Sequence, residues 1–283
     1  MLVWRKSLWS FISKMLTLII KTIKKNLTSL LIYTIISASF IWMYVALFPS
    51  FFKEREKFAE AFEAYPEGLT QAFNLEIETF LSSLEGFIAG EHFSIVWPII
   101  LIILTLSYAS AAIAGEIDKG TIELLLAQPI SRLKIFFAKY VSGLAIIAAF
   151  ILVSNFSVVP FALLHNVDFQ LQNYLTISIL GFLFAFAIYG ICIMLSSLSS
   201  SRGRPMAITG GILIIMYALN VFSAFQESIE NIKVASFFHY YDFGAAVVHN
   251  QLDTLNIAVF LAVGIITSIA AAIIFVKRDI STT

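Results

Sequence analysis

The sequence predicts an all-α integral membrane protein, a single domain over residues 1–283 with six transmembrane helices. Hydrophobic residues make up 59% of the chain and charged residues 13%, whereas soluble domains carry about 25% charged residues. Its apolar runs reach the roughly 20 residues that cross a hydrocarbon core, and they lack the alternation of barrel strands. The runs are Leu27–Phe48, Phe93–Ala114, Phe136–Leu164, Tyr174–Ser197, Met206–Phe225 and Thr254–Val276.

Residues 1–26 are expected to form an interfacial helix. Basic and hydroxyl side chains recur every three or four residues from Lys6 to Lys24, while Trp9, Ile12 and Ile19 take the opposite face. A helix with such faces lies flat at the membrane surface. It would serve as an anchor, as a gating element that moves with the spans, or as both.

The basic residues predict the orientation. If the N-terminus is cytoplasmic and the chain crosses six times, all of the 18 lysines and arginines except Lys53, Arg55, Lys57 and Lys233 fall on the cytoplasmic side. Basic residues in short loops stay in the cytoplasm. We therefore expect a multi-pass protein of the cell membrane with both termini cytoplasmic.

Residues 49–92 are expected to form an extracellular amphipathic loop of two helices. The first has a phenylalanine face and ends at the breaker Pro66-Glu67-Gly68. The second carries an apolar stripe that includes Phe80 and Phe87, opposed by Glu78 and Glu85. These helices would lie in the interface or cap the mouth of a cavity.

The histidines and the cysteine point to no metal site and no disulfide. No histidine has a partner His or Cys at ligand spacing, so polar anchors at the outer interface are the favoured interpretation. The lone cysteine, Cys192, excludes an internal disulfide. The four histidines are His92, His165, His239 and His249.

Small residues are spaced four apart in two of the predicted spans. Ser107, Ala111 and Gly115 share a face of the second span, and Gly264 and Ala272 flank Ser268 on a face of the sixth. Such faces let helix backbones approach closely in lipid. Packing within the chain is favoured over a dimer interface.

A short polar segment, residues 115–132, lies between the second and third spans. Gly120 permits a tight reversal, and Thr121 or Asp118 can cap a short helix over residues 122–127. Pro129 ends that helix, and Ser131 is expected to cap the third span.

The helix of this segment would expose Glu123 and carry Leu124, Leu125 and Leu126. The whole segment is predicted to be a stiff cross-piece about two turns long, joined at both ends to spanning helices. The alternative is an interfacial helix that only lays its leucines in the membrane.

The stretch from Glu116 to Gly143 resembles the signature of type-2 ABC exporter permeases. The ending Phe275 to Ile280 resembles theirs too, as does SFFHYYD (residues 236–242), although Phe237 replaces the usual proline and leaves the turn there open. The signature, E-x-x-x-G-T-x-E-x-L-L-x-x-P-x-S-R followed by Lys and Gly, is matched by Glu116, Gly120, Thr121, Glu123, Leu125, Leu126, Pro129, Ser131, Arg132, Lys139 and Gly143.

The resemblance implies the permease subunit of an ATP-driven exporter. Residues 115–132 would be its cytoplasmic coupling segment, docked on a separate ABC ATPase whose closure tilts the second and third spans. The implied complex has two ATPase copies and two permeases, most simply a homodimer, with a heterodimer as the alternative. The coupling residues would be Glu116, Gly120, Thr121, Glu123, Leu124, Leu125, Leu126, Pro129 and Arg132.

The chain is not expected to be catalytic, because it has no G-x-x-x-x-G-K-[ST] phosphate loop. ATP and Mg would be bound by the ATPase, and the chain itself would hold no cofactor, no metal and no nucleic acid. A secondary transporter needs titratable groups in its spans, yet these offer only Asn155, Asn220 and hydroxyls. A non-ABC membrane scaffold stays open, although it gives no reason for a stiff cross-piece.

The spans lack charge and are rich in aromatic residues. This favours amphipathic or hydrophobic cargo, such as a peptide, toxin or drug, over bare ions, which need oxygen ligands or charged rings. Aromatic residues are also ordinary at lipid-facing positions. The candidate cargo-pathway residues are Tyr33, Phe40, Tyr44, Tyr217, Asn220 and Phe222.

Overall fold

The computed structural model describes residues 2–63, 77–225 and 227–279. Within these ranges it contains helices and no strand, which confirms the all-α class. Six helical stretches are long and apolar enough to cross a membrane, and we number them spans 1 to 6. They are Met15–Lys53, Leu84–Ala112, Arg132–His165, Leu171–Leu198, Gly203–Ser223 and Thr254–Lys277.

The α-helices are numbered in chain order. A π-helical stretch, Ala89–Val96, lies between α4 and α5, and a 3₁₀ stretch, Glu227–Ala235, follows α11. The helices are α1 (Leu2–Lys53), α2 (Arg55–Glu63), α3 (Ile77–Ser82), α4 (Leu84–Ile88), α5 (Trp97–Ala112), α6 (Ala114–Asp118), α7 (Ile122–Leu126), α8 (Arg132–Phe156), α9 (Val158–His165), α10 (Leu171–Leu198), α11 (Gly203–Phe225), α12 (Phe237–Tyr240), α13 (Phe243–Val247) and α14 (Thr254–Lys277).

The N-terminal segment is continuous with span 1. Helix α1 runs from Leu2 to Lys53 with no break at residue 26, because no proline or glycine interrupts it before Pro49. Its 52 residues extend about 78 Å at 1.5 Å per residue, whereas the hydrocarbon core is about 30 Å thick. Helix α1 is therefore long enough to project well beyond a bilayer. The predicted faces of residues 1–14 lie outside the described side chains.

Span 2 begins at Leu84 rather than at the predicted Phe93. Pro98 has no N–H to donate to the Ser94 carbonyl, and the helix before it adopts π-type bonding, in which the Trp97 N–H donates to the His92 carbonyl. The predicted loop 49–92 is shortened accordingly. Its breaker at Pro66 and the start of its second stripe lie outside the described residues.

The apolar stripe of the second outer helix packs against α1. Phe80 and Phe87 are buried, and their rings contact Phe51 with centroids 5.4 and 4.5 Å apart. Glu85, expected on the polar face, is also buried, and it accepts a hydrogen bond from the Gln170 N–H at 2.7 Å. The expectation for Glu85 was wrong because the connector before α10 covers that side of α4.

Span 3 is broken near Pro160. Helix α8 ends at Phe156 and α9 begins at Val158, because proline provides no N–H for the carbonyl four residues before it. A buried polar network surrounds the break: the Trp97 indole N–H donates to Ser154 Oγ at 3.2 Å and the Asn155 amide to Ser178 Oγ at 3.0 Å. Asn155 is thus a structural polar group.

Helix α10 lies at the centre of the bundle and is the most buried span. It approaches α14 closely, since a Cβ on Gly190 would lie 2.9 Å from the Gly264 carbonyl oxygen. On the same face of α14, Ser268 Oγ lies 2.8 Å from the Tyr140 hydroxyl, and Ala272 is buried. The small-residue face of span 6 therefore packs within the chain, as predicted.

The bundle has two distinct ends. The 115–132 segment, residues 199–202 and Arg278 meet at one end, which we call the basic end. The other end carries the described connectors at residues 54–63, 77–83, 166–170 and 227–253. There the turn at residues 236–242 forms without a proline, because Ser236 Oγ accepts the Phe238 N–H and Asp242 caps α13.

We predict that Gly143→Ala destabilises the bundle. A Cβ at Gly143 would lie 2.2 Å from the Tyr189 hydroxyl and 2.7 Å from its ring carbon Cζ, so α8 and α10 would have to separate. Overpacking of this kind costs about 1–3 kcal/mol. Thermal unfolding in detergent measures the loss.

Gly211→Ala is the matched control, since a Cβ at Gly211 in α11 meets nothing within 4 Å. Alanine in a helix interior is favoured over glycine by roughly 0.5–1 kcal/mol, so this variant should be neutral or more stable. Equal unfolding temperatures for the two variants would contradict the close approach of α8 and α10.

Candidate functional site

The 115–132 segment consists of two short helices and two turns. Helix α6 ends at Asp118, and Gly120 has φ +67°, in agreement with the predicted reversal. Helix α7 spans Ile122–Leu126 with Ala127 as its C-cap, in agreement with the helix predicted over residues 122–127. The chain then bends through Pro129 into α8.

The predicted helix caps are absent. The N-terminus of α7 has no side-chain cap, because the Thr121 hydroxyl turns back to Glu116, donating to its carbonyl oxygen at 3.2 Å and contacting its carboxylate oxygen Oε2. Ser131 precedes α8 in an extended conformation and also makes no cap hydrogen bond. The prediction of capped ends was therefore wrong, and Thr121 instead closes the loop onto Glu116.

Glu116 makes the ionic contacts that attach the segment to the bundle. Its carboxylate accepts a hydrogen bond from Lys139 Nζ at 2.6 Å, and Lys25 Nζ lies 4.0 Å from the same oxygen. Glu116 and Lys139 are each only 8% exposed. One buried carboxylate thus joins the segment to α8 and, more loosely, to α1.

The ion pair determines the charge state of Glu116. Burial by itself raises the pKa of this carboxyl, but hydrogen bonds from Lys139 and Thr121 and the charges of Lys139 and Lys25 outweigh it and hold the pKa below its ordinary value of 4.5. Glu116 is consequently ionised at neutral pH.

Span 2 is broken where the segment begins. Ile113 departs from helical geometry, with φ −124° and ψ −61°, between α5 and α6. Ser196 Oγ of α10 accepts the Ala114 N–H at 3.0 Å and donates to the Ser110 carbonyl at 3.1 Å. A single hydroxyl therefore satisfies backbone groups on both sides of the break, as buried polar groups require.

The far end of the segment is tied to the C-terminus. Arg132 Nη1 donates to the Arg278 carbonyl at 2.6 Å. Arg278 in turn donates to the carbonyls of Ser197 and Ser199, both at 2.9 Å, and to Ser200 Oγ at 2.7 Å. Through Arg278, Arg132 thus connects the start of span 3 to the ends of spans 4 and 6. Its contacts are with the protein and not only with lipid headgroups.

The outer face of the segment has no partner in the described part of the chain. Ile122 is buried, whereas Glu123 is exposed and Leu124 is 71% exposed. Leu125 and Leu126 are partly buried against the core, and Pro129 is exposed. The segment therefore has one face held by the bundle and one face that is free to contact another molecule.

The candidate cargo residues fall into two groups. Tyr44 is buried and stacks on Phe40, and its hydroxyl donates to the Glu91 carbonyl. Tyr217, which lies on α11 with the other group, contacts Phe238 of α12. Among the described residues no ring contact joins the groups. Tyr33 and Asn220 are partly buried, and Phe222 is 63% exposed.

His92 is not an interfacial anchor. It lies within span 2 and is fully buried against Phe40, Tyr44 and Phe93. Neither ring nitrogen has a hydrogen-bond partner among the described residues. The expectation was wrong because span 2 starts earlier than its hydropathy indicated. No group of three potential metal ligands occurs in the described ranges.

Several residues of the site were missed in the sequence. Ser196 and Arg202 lie in and after a serine-rich stretch that shows no motif, and Lys25 appears there only as one of several basic residues in α1. Arg278 was noticed in the chain ending, but its bonds to 197–200 require the fold. The only sequence signal for these residues was that charged side chains lie near the predicted ends of helices.

The fold and the site define a six-span membrane permease with a polar segment between spans 2 and 3. The sequence profile of the ABC-2 family transporter proteins matches residues 16–280, and the chain belongs to that family. It is therefore a permease of an ABC transporter, and the family implies a partner ABC ATPase as a separate subunit. A search of curated proteins gives no significant match.

We predict that Glu116→Gln and Lys139→Met are each destabilising, while the double variant recovers much of the loss. Removing one partner of a buried ion pair leaves an uncompensated charge, which costs about 3–5 kcal/mol. Removing both eliminates that charge. Thermal unfolding of the four proteins gives the coupling energy, and strictly additive losses would contradict a buried pair.

The pH dependence provides the control for this cycle. Because the folded-state pKa of Glu116 is depressed, its carboxylate stabilises the fold above the unfolded-state pKa, and this contribution is lost as the pH falls through the folded-state pKa. The stability difference between the wild type and Glu116→Gln should therefore narrow below about pH 4.5. A difference that is constant from pH 7 to pH 3 would argue against the pair.

Proposed function

We propose that this chain is the membrane half of an ATP-driven exporter and that residues 115–132 transmit force from the ABC ATPase. The observation that carries the proposal is the two-faced segment. Glu116 and Arg132 hold it to the bundle at both ends, while Glu123 and Leu124 project outward. A transmitting element needs this combination of a docking face and a firm attachment.

The attachments favour transmission to span 3. A displacement of α7 reaches α8 through the Glu116–Lys139 pair and through Arg132. Span 2 is broken at Ile113, so α6 can pivot against α5 while Ser196 keeps the backbone groups satisfied. The segment and α8 would therefore move together, with Ile113 as the hinge.

The proposed complex contains two permeases and two ATPases, with the basic end of each bundle in the cytoplasm of the cell. The distribution of lysine and arginine supports this orientation. ATP and Mg would be bound by the ATPase subunits and not by this chain. A homodimer is the simplest assembly, because each permease contributes six spans.

We predict that the double substitution Glu123→Ala and Leu124→Ala weakens ATPase binding about tenfold, since truncation of an interface anchor costs 1 kcal/mol or more. Cargo transport per ATP hydrolysed should fall with it. The permease bundle should keep its unfolding temperature, because both side chains are exposed. Co-purification and transport in reconstituted vesicles measure the effects.

Leu198→Ala is the matched control. Leu198 is 56% exposed at the end of α10, so it presents similar apolar area at the same end of the bundle. Gly120→Val provides a second perturbation, because valine is strained at φ +67°. If ATPase binding and cargo transport are as unchanged in the Glu123/Leu124 double variant as in Leu198→Ala, the segment is only an interfacial helix.

We propose an amphipathic or hydrophobic cargo, with a peptide as the leading candidate. The aromatic groups around Tyr44, which is buried, and around Tyr217, which is partly buried, support this class. Since no ring contact joins the two groups among the described residues, a shared route would form where two permeases meet. Asn220 and Phe222 lie on α11 with Tyr217, and Tyr33 and Phe40 lie on α1 with Tyr44.

We predict that amphipathic peptides stimulate the ATPase activity of the reconstituted complex and that metal ions do not. Tyr217→Ala should raise the half-stimulating peptide concentration several-fold, as for loss of an aromatic contact. Ile266→Ala, which removes a lipid-facing side chain that is 66% exposed on α14, serves as control. Stimulation by ions alone would overturn the cargo proposal without touching the transporter class.

A further inference from the structure

A polar cavity of about 260 Å³ lies at the basic end, between α1, α5, α6 and the first turns of α8. Its lining includes Ser107, Ala111 and Gly115, the small-residue face that was expected to pack against a helix. At Gly115 this face is covered by the Arg202 side chain, with its Cδ 3.5 Å from a Cβ placed on Gly115. The cavity is therefore built by small residues and a guanidinium.

The lining carries an excess of positive charge. Lys25, Lys119, Lys139 and Arg202 face a single carboxylate, Glu116, among the described residues. Lys139 is fully engaged by that carboxylate at 2.6 Å, whereas Lys25 approaches it only to 4.0 Å. Lys119 and Arg202 form no ion pair within the described ranges. About three positive charges are thus left uncompensated around one cavity.

Among the described residues, Arg202 also lacks a hydrogen-bond partner for one of its nitrogen atoms. Its Nη2 donates to Ser107 Oγ at 2.9 Å, but its buried Nε has no hydrogen-bond partner in the described part of the chain. A buried charged donor without a partner is costly. A guanidinium in this state is suited to a phosphate, which accepts two parallel hydrogen bonds from it.

The depth of the cavity matches the headgroup layer of a membrane. Lys139 is seven residues into α8 from Arg132, about 10 Å along the helix, and Lys119 and Arg202 lie just beyond the ends of α6 and α10. The headgroup region occupies the outer several ångströms on each side of the hydrocarbon core. On α1, the exposed side chains of Ile32 and Ile36 lie on the same side of the helix as Lys25, seven and eleven residues further toward the bilayer centre. Acyl chains could pack there.

We propose that this cavity binds the phosphate of an anionic phospholipid as a resident ligand, with Lys25 and Arg202 as the main contacts. The phosphate neutralises charge that the Glu116–Lys139 pair does not, and the acyl chains lie on the apolar face of α1. The same phosphate chemistry occurs in free phosphate, but only a lipid also uses that apolar face. The proposal is independent of the cargo and of the ATPase, so the permease alone tests it.

The experiment titrates purified, delipidated full-length permease with short-chain phosphatidylglycerol, with phosphatidylcholine of the same chains, and with inorganic phosphate. Native mass spectrometry counts bound lipid, and thermal unfolding reports stabilisation. The test variant is Lys25→Gln with Arg202→Gln. The matched control is Lys24→Gln with Arg204→Gln, neighbouring exposed basic residues that do not line the cavity.

We expect phosphatidylglycerol to bind and stabilise the wild type and the control variant, and to bind the test variant about tenfold more weakly, as for the loss of charge-assisted hydrogen bonds. Phosphatidylcholine and inorganic phosphate should bind weakly to all three. Equal weakening in the test and control variants would overturn the site, because nonspecific surface charge would then explain the binding. Equal stabilisation by inorganic phosphate or phosphatidylcholine would overturn the anionic lipid as its ligand.

Discussion

The buried ion pair between Glu116 and Lys139 is the interaction on which the basic end of the bundle depends. A carboxylate at this depth is unfavourable without a cation, and Lys139 provides it from α8 at 2.6 Å. Because Glu116 lies in α6 and also receives the Thr121 hydroxyl, the pair fixes the turn at Gly120 and the direction in which α7 leaves the bundle. The compensation of charge between Glu116 and Lys139 therefore determines where the exposed side chain of Leu124 lies.

A second constraint is that backbone polar groups near lipid must all be satisfied. Span 2 nevertheless departs from α-helical bonding at two places, and each departure has an identifiable substitute. Ser196 completes the bonding across Ile113, and π-type bonding precedes Pro98. At Ile113 the missing partner comes from a neighbouring helix, so α10, the most buried span, is also the helix that permits span 2 to bend.

Much of the fold was predictable because hydropathy reports burial in lipid directly. The number of spans, the reversal at Gly120 and the packing face at Gly264 all follow from local composition and spacing. Two of the errors share one cause. Glu85 and His92 are polar, so their sequence suggested water or an interface, yet tertiary contacts bury both. Likewise the Thr121 hydroxyl had two possible partners, and only the position of Glu116 decides between capping and closing the loop.

The proposed lipid site and the segment proposed to transmit force share a wall, which has a thermodynamic consequence. The cavity lies between α1 and α6, and Glu116 and Lys139 line it as well as joining α6 to α8. Any movement of α6 about Ile113 moves the Glu116 carboxylate relative to Lys25 and Arg202. A phosphate bound to both would then have different affinities for the two positions of α6. By linkage, such a lipid favours the position that it binds more tightly, so lipid composition would shift the conformational equilibrium of the permease without any contact with the cargo.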